Sequence, residues 1–261
     1  MNPYPNSRYL CSLAERAGEI IRREFSLGMD IELKADSTRV TAADTDVNEF
    51  VIEAFRQDFP HIDLIAEEGS SRVEGAEYRA FCDPVDGTFP FSIGAPISAF
   101  SISIVRDQTP LVAVIYDPFM NRMWYASRGR GCFLNGSRAA VSTHATISDS
   151  SICALHWRGS PYNIGAVTED LMNARATCIN PVSVAYFGGL VASGTIEATI
   201  FPAQKALETT AIQIIVEEAG GRVTDIHGNE MRYGPEGEMK GHIISNGLVH
   251  DALLEVVHAN Q

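Results

Sequence analysis

The sequence predicts a layered α/β (α+β) protein, and three observations carry the prediction. The chain opens on two amphipathic helical patterns, passes through a block of strand-like runs between residues 98 and 134, and then returns to alternating helix and strand patterns. A helical bundle has no place for the middle block, and a barrel has none for the helices on either side of it.

From 7 to 25, Leu10, Leu13, Ala14, Ala17, Ile21 and Phe25 recur at helical spacing, and Gly28 follows as a stop. A polar stretch containing Lys34, Asp36 and Ser37 leads to a second helix, whose stripe is Val47, Phe50, Val51, Ala54 and Phe55 and whose continuation Pro60 bars. Short apolar runs at 63–66 and 78–82 are expected to be strands, each leading into carboxylates. The runs SAFSISIV, PLVAVIYDP, RMWYAS and GCFL predict an antiparallel sheet, with Asn135-Gly136 as one of its turns. Beyond it, 151–155 and 197–201 read as strands and 183–193 and 205–219 as helices, the second closed by Gly220-Gly221. A strand at 242–245 and a helix at 251–258 complete the order. No internal repeat, low-complexity tract or linker interrupts it.

At 261 residues the chain is near the upper limit for one hydrophobic core, so a single unit with two sub-layers and two separate domains both satisfy its length. No apolar run approaches the roughly 20 residues of a membrane span. The N-terminal MNPYPNSRYLCSLAERAGEI has no basic region followed by an apolar block, so no secretory leader is expected and the expected location is cytoplasmic. Cys11, Cys82, Cys132, Cys153 and Cys178 are scattered and form no C-x-x-C pair, which argues against a disulfide framework and against a zinc site. The formal net charge is -13, from 33 acidic and 20 basic residues. With no Lys/Arg-rich run, binding to nucleic acid or to an anionic membrane is not expected. A phosphorylated small molecule would have to find positive charge elsewhere, and metal ions collected by the protein's own carboxylates are one source.

The most informative stretch is Asp83-Pro84-Val85-Asp86-Gly87-Thr88. Pro84 fixes φ and Gly87 permits a sharp bend, so the segment is expected to turn tightly with both carboxylates near one point. Mg²⁺ prefers oxygen ligands and suits two Asp side chains, a backbone carbonyl such as that of Val85, and a substrate phosphate. Gly87 and Thr88 would offer backbone N–H groups at a helix start, with Pro90 in its first turn. A plain Asp-Pro/Asp-Gly surface turn explains the same residues. Two other segments bear on the choice: Glu67-Glu68 at the end of an upstream strand, and Thr41 with Asp44, whose spacing is also that of a helix capping box.

These segments together resemble the inositol monophosphatase family. RVTAADTDVN is similar to its V-T-x-x-D motif, IAEEGS to its G-E-E-S motif, DPVDGTFPFSIG to its D-P-h-D-G-T-x-N-F-x-x-G signature with h hydrophobic, and ALETTAIQIIVEEAGGRV to its W-D-x-A-A segment leading into E-A-G-G. The resemblance runs from about Leu10 to His258 and implies a layered α/β/α/β/α sandwich of the sugar phosphatase type. It implies a Mg²⁺-dependent phosphomonoester hydrolase that acts on a small sugar, polyol or similar phosphate by activating water, with two or three Mg²⁺ ions. Glu67, Asp83, Asp86, the Val85 carbonyl and Glu208 would bind metal. Asp44, Glu67 and Thr88 would be catalytic, Thr88 with Asp44 taking the proton of the attacking water. Gly87 and Thr88 amides would hold phosphate, Ser183 and Glu208 would lie on the substrate side, and Lys34 and Asp36 would belong to a loop supporting a third metal. The division expected is an N-terminal α+β subdomain at 1–145 with most metal ligands and a C-terminal α/β subdomain at 146–261 with Glu208 and substrate contacts. A homodimer is the implied assembly.

The chain also departs from the family's pattern. Leu207-Glu208 stands where Trp-Asp is usual, Pro90 where Asn is usual, and 179–183 lacks an Arg and a Gly. Spacing to Ala211, Ile212, Ile215 and Ala219 puts Glu208 on an apolar helix face, where a carboxylate needs a partner such as a metal; complementing a helix dipole is the other reading. Phe201 occupies a position where inositol-directed members carry Glu, and an aromatic ring accepts no hydroxyl hydrogen bonds, so myo-inositol phosphate is not the expected substrate. Arg158, Gln204 and Lys205 are substrate-side candidates or ordinary solvated side chains. Two alternatives stand beside a working sugar or polyol phosphatase: a nucleotide 3′-phosphatase, and a catalytically impaired member that binds a metabolite or partner.

Overall fold

The computed structural model describes residues 3–34, 38–156, 160–180, 183–202, 207–234 and 238–261. Among these, α1 (Ser7–Glu24), β1 (Glu32–Leu33), β2 (Arg39–Val40) and α2 (Ala42–Asp58) open the chain. There follow β3 (Asp63–Ala66), β4 (Arg79–Asp86), α3 (Thr88–Ser92), β5 (Ala99–Arg106), β6 (Thr109–Asp117), β7 (Arg122–Ser127), β8 (Gly131–Leu134) and β9 (Ser137–Ala139). The last part holds β10 (Ser151–Ala154), α4 (Ile164–Asn173), β11 (Thr177–Ile179), α5 (Val184–Ala192), β12 (Ala198–Phe201), α6 (Thr209–Glu218), β13 (Arg222–Thr224), β14 (His242–Ser245) and α7 (His250–Ala259).

One sheet runs β3-β4-β5-β6-β7-β8-β9, with β3 parallel to β4 and each later neighbour antiparallel, as the strand-like block predicts. The other runs β11-β10-β12-β14-β13, with β10 parallel to both its neighbours and the remaining pairs antiparallel. β1 and β2 form a separate hairpin.

Strand alternation stacks these sheets into layers. Phe100, Ile102, Ile104, Val112 and Val114 face a core shared with α1 and α2, whereas Ala99, Ala113 and Ile115 face a second core shared with α5, α6 and Ile244 of β14. Ala198, Ile200 and Ile243 point the other way, into a third core with α4 and α7. The order is therefore helix, sheet, helix, sheet, helix, the expected sandwich. Close approach sets the spacing of the middle layer: a Cβ on Gly188 would lie 2.5 Å from Ile212 of α6, and one on Gly189 would lie 2.7 Å from the Trp124 ring of β7.

Local signals decide the ends of α1 and α2. Asn6 accepts the Tyr9 amide at 3.0 Å, and the stripe Leu10, Leu13, Ala14, Ala17 and Ile21 is buried. Thr41 precedes α2 in extended backbone. One expectation is corrected at the metal-ligand motif. Asp83-Pro84-Val85-Asp86 is not a tight turn; it is the end of β4, carried on by pairing with β5, where Asp83 lies opposite Ser101 and Asp86 opposite Ala99. The register shift between those pairs is a bulge at Pro84-Val85, where proline has no N–H for the ladder. The bend comes at Gly87, whose φ is +89°. Among the described residues no helix is long and apolar enough to cross a membrane.

Candidate active site

Asp44 sits in the first turn of α2, where it makes the capping contacts its spacing suggests and also meets Thr88. Its Oδ2 accepts the Thr41 amide at 2.8 Å and the Thr41 hydroxyl at 2.6 Å, which caps the helix. Its Oδ1 accepts the Thr88 hydroxyl at 2.8 Å, from a residue 44 positions away. Asp44 is buried, and burial raises its pKa, with the Thr41 and Thr88 bonds pulling it back and the charge of Glu67 adding to the rise. Thr88 Oγ1 also lies 3.1 Å from the Val85 carbonyl.

The bulged end of β4 supplies Asp83 and Asp86. Asp83 Oδ1 accepts the Val85 amide at 3.0 Å, which holds the carboxylate at the bend. Asp86 reaches across to α5: it accepts the Ser183 hydroxyl and the amides of Val184 at 2.9 Å and Ala185 at 2.8 Å. A carboxylate at a helix start complements both the unpaired amides and the positive end of the peptide dipoles. Burial pushes Asp86 up to about 6 against the pull of these donors. Asp83 is raised well above the usual carboxylate range, first by burial and then by the charges of Glu67, Asp86, Glu208 and Asp44. Glu208 is raised likewise, by burial and by Asp86, with Glu67 adding to it. The five carboxylates thus come from α2, the end of β3, the end of β4 and the start of α6, and they feel one another's charge.

Glu208 is the residue just before α6 and is 6% exposed. It stands at the helix end, not within the helix face that its spacing suggested, because α6 begins at Thr209. Ser183 is fully buried and spends its hydroxyl on Asp86. Phe201 is buried at the end of β12 with its ring 5.2 Å from that of His242. Lys34 Nζ pairs with Glu67 Oε1 at 2.8 Å and also with Glu68. Asp36, Arg158, Gln204 and Lys205 lie outside the described residues. Glu68, the second carboxylate of the IAEEGS segment, also joins the neighbourhood through Lys34, and so does Asn48, which no motif position marks and which is found only through its partner Gly69.

The residues fit a hard divalent cation in kind. They are oxygen donors, Asp83, Asp86 and Glu208 are buried, and among the described residues no lysine, arginine or histidine pairs with those three. Buried carboxylates without a counter-charge are costly, and a cation offsets that cost. Their arrangement is not that of a closed ligand shell: among the described residues no three His, Cys, Asp or Glu side chains are gathered closely enough to hold an ion. Asp86 is turned onto α5, and Glu67 is turned onto the Lys34 ammonium.

Residues 6–261 match the model of the inositol monophosphatase family. The chain is 33% identical to a histidinol-phosphatase of Mycobacterium tuberculosis, over 95% of this chain and 96% of that one. It is 30% identical to a fructose-1,6-bisphosphatase/inositol-1-monophosphatase of Thermotoga maritima, over 84% and 82%. Among solved structures it is similar to an IMPase of Thermotoga maritima, with a TM-score of 0.84 at 27% identity, covering 95% of this chain and 94% of that one.

Proposed function

The chain belongs to the inositol monophosphatase family and is a phosphomonoesterase; we propose that it is Mg²⁺-dependent and acts on the phosphate ester of a small polyol, sugar or amino alcohol. The observation that carries the reading is the 2.8 Å bond from the Thr88 hydroxyl to Asp44, beside buried carboxylates with no cationic partner among the described residues. Similarity to a histidinol-phosphatase supports an amino-alcohol phosphate, and similarity to a fructose bisphosphatase/inositol monophosphatase supports a sugar or polyol phosphate. The apolar ring of Phe201 favours a substrate with fewer hydroxyls than inositol. A homodimer belongs to the same reading, and light scattering tests it.

Glu67, Asp83, Asp86, Glu208 and the Val85 carbonyl would hold the metal, as two or three ions. Held by those residues, Mg²⁺ would supply positive charge against the phosphoryl group and would lower the pKa of a nearby water. The remaining work falls to the chain. Thr88 donates its hydroxyl proton to Asp44 Oδ1, which leaves the Thr88 oxygen free to accept a proton from the attacking water. Raised by burial, Asp44 is a stronger base than an exposed aspartate and takes up that proton. The Gly87 and Thr88 amides, at the bend after β4, orient the phosphate oxygens for in-line attack.

The test is phosphate release from histidinol phosphate, fructose 1,6-bisphosphate and inositol 1-phosphate with and without Mg²⁺, repeated with Thr88→Val. Turnover should need Mg²⁺ and fall about 100- to 10,000-fold in the variant, as loss of a proton-transfer group does. Full turnover in chelator, or a variant as fast as wild type, would sink the reading. Mg²⁺ binding with no release from any ester would assign the chain to the impaired, metabolite-binding class.

A further inference from the structure

We propose that Asn48 is a positioning residue that fixes Glu67 relative to Asp44, and so sets the protein's affinity for Mg²⁺. The proposal rests on the reading of Glu67 as a metal ligand given above. Asn48 lies one helical turn beyond Asp44 on α2, on the same face. It is 3% exposed, and its Nδ2 donates to the Gly69 carbonyl at 3.2 Å. Gly69 is two residues past Glu67, in the loop that leaves β3. That donor bond fixes which end of the amide is nitrogen. The other end, Oδ1, is buried and has no hydrogen-bond partner among the described residues.

A buried amide with an unsatisfied oxygen is a poor choice for packing, since an aliphatic side chain would fill the same space without the desolvation cost. Asn48 therefore acts through the bond it does make. The rest of the loop is shaped to receive that bond. Gly69 has φ +153°, a backbone conformation that glycine adopts readily, and the position of its missing Cβ lies 3.4 Å from Asn48 Nδ2 and 3.9 Å from Ile52, in contact with α2. Leu64 and Ser71 exchange backbone bonds of 3.0 and 2.9 Å at the base of the loop, and the Ala66 amide donates to Ser70 Oγ at 3.3 Å within it. Those bonds close the loop on itself. Asn48 joins it to the helix that carries Asp44; a second hydrogen bond to α2, Arg56 Nε to Ser71 Oγ at 3.3 Å, is exposed and holds only the base of the loop. Without Asn48, the Glu67 carboxylate keeps its local turn but loses its fixed distance from Asp44.

The experiment titrates Mg²⁺ alone into wild type, Asn48→Ala and Asn48→Ser by calorimetry, and follows hydrogen–deuterium exchange across 66–71. Serine is polar but too short to reach the Gly69 carbonyl, so it carries the test if the alanine variant does not fold. Mg²⁺ affinity should fall on the order of tenfold, the usual effect of losing a residue that orients a metal ligand. Exchange should quicken at 66–71 and not in α1. Wild-type Mg²⁺ affinity in a folded variant overturns the proposal whatever happens to its melting temperature. If wild type itself takes up no Mg²⁺, it is the metal-site reading that fails, and this proposal falls with it for that separate reason.

Discussion

Asp83 and Asp86 stand three residues apart on one strand end, yet they answer to different surroundings. Asp86 is held by the Ser183 hydroxyl and the first amides of α5, whereas Asp83 has the Val85 amide and otherwise faces other carboxylates. Their amide variants should therefore separate. Asp83→Asn is expected to lower Mg²⁺-dependent turnover at least about a hundredfold. Its melting temperature in chelator should rise, by about 2–4 °C for each kcal/mol of repulsion relieved. Asp86→Asn should also lose activity, but its melting temperature in chelator should rise less than that of Asp83→Asn, because a weakened cap on α5, about 1–2 kcal/mol, offsets the relief of its buried charge. Thermal unfolding of both in chelator decides it; an Asp86→Asn stabilised more than Asp83→Asn would contradict the capping role. At this scale, the sequence offers Asp44, Glu67, Asp83, Asp86, Thr88 and Glu208 as candidates because their chemistry is tied to residue type, and the structure brings the carboxylates within reach of one another's charge and Thr88 onto Asp44. The sequence does not identify Ser183 as Asp86's donor or Asn48 as the loop's anchor, because both follow from contacts between segments distant along the chain.

Elements with strong punctuation were read to their boundaries. β7, β8 and β14 fall at the expected residues, and Asn135 and Gly136 take the positive φ values of 49° and 84° that a two-residue hairpin turn requires. β4 ran on past its expected end because pairing with β5 outweighed the local preferences of Pro84 and Asp86. α4 and β11 went unread, although Asn163 caps α4 and Ile164, Val167 and Leu171 form its buried stripe; a three-residue stripe between polar positions is a weak periodic signal. The start of α7 supplies a test at this scale. His250 ties two strands to the helix, with Nε2 2.9 Å from Thr224 Oγ1 and Nδ1 2.8 Å from Ser245 Oγ. Burial lowers its pKa to about 4, with Arg222 assisting and Asp251 opposing. A depressed histidine pKa leaves the unfolded chain binding more protons below its ordinary value of 6.5, so this contribution is whole above pH 6.5 and is lost as pH falls toward 4. His250→Asn should cost about 1 kcal/mol at pH 7.5. That cost should shrink by up to about 1.4 kcal/mol per pH unit below 6.5. Urea titrations of both proteins at pH 7.5 and 5 check it; a constant difference would count against a neutral buried imidazole.

Across the whole molecule, the site lies where the ends of β3 and β4 meet the starts of α2, α5 and α6. If the acid cluster there holds the proposed metal, its raised pKa values link metal binding to protons. Asp86, raised to about 6, opposes folding of the metal-free protein above that pH, and this opposition disappears as pH falls through 6. Mg²⁺ must then displace a proton below pH 6 but not above it. The rise in melting temperature on adding Mg²⁺ should accordingly be large at pH 8 and small at pH 5, as differential scanning fluorimetry would record; a pH-independent rise would exclude the cluster as the binding site. The grip of Asp86 on α5 has a mechanical consequence as well. A strand of one sheet and a helix of the middle layer are hinged on a carboxylate that, on the proposed reading, also holds a cation. Any breathing motion that parts them would then unseat that cation, so on this reading the fold flexes there only between turnovers.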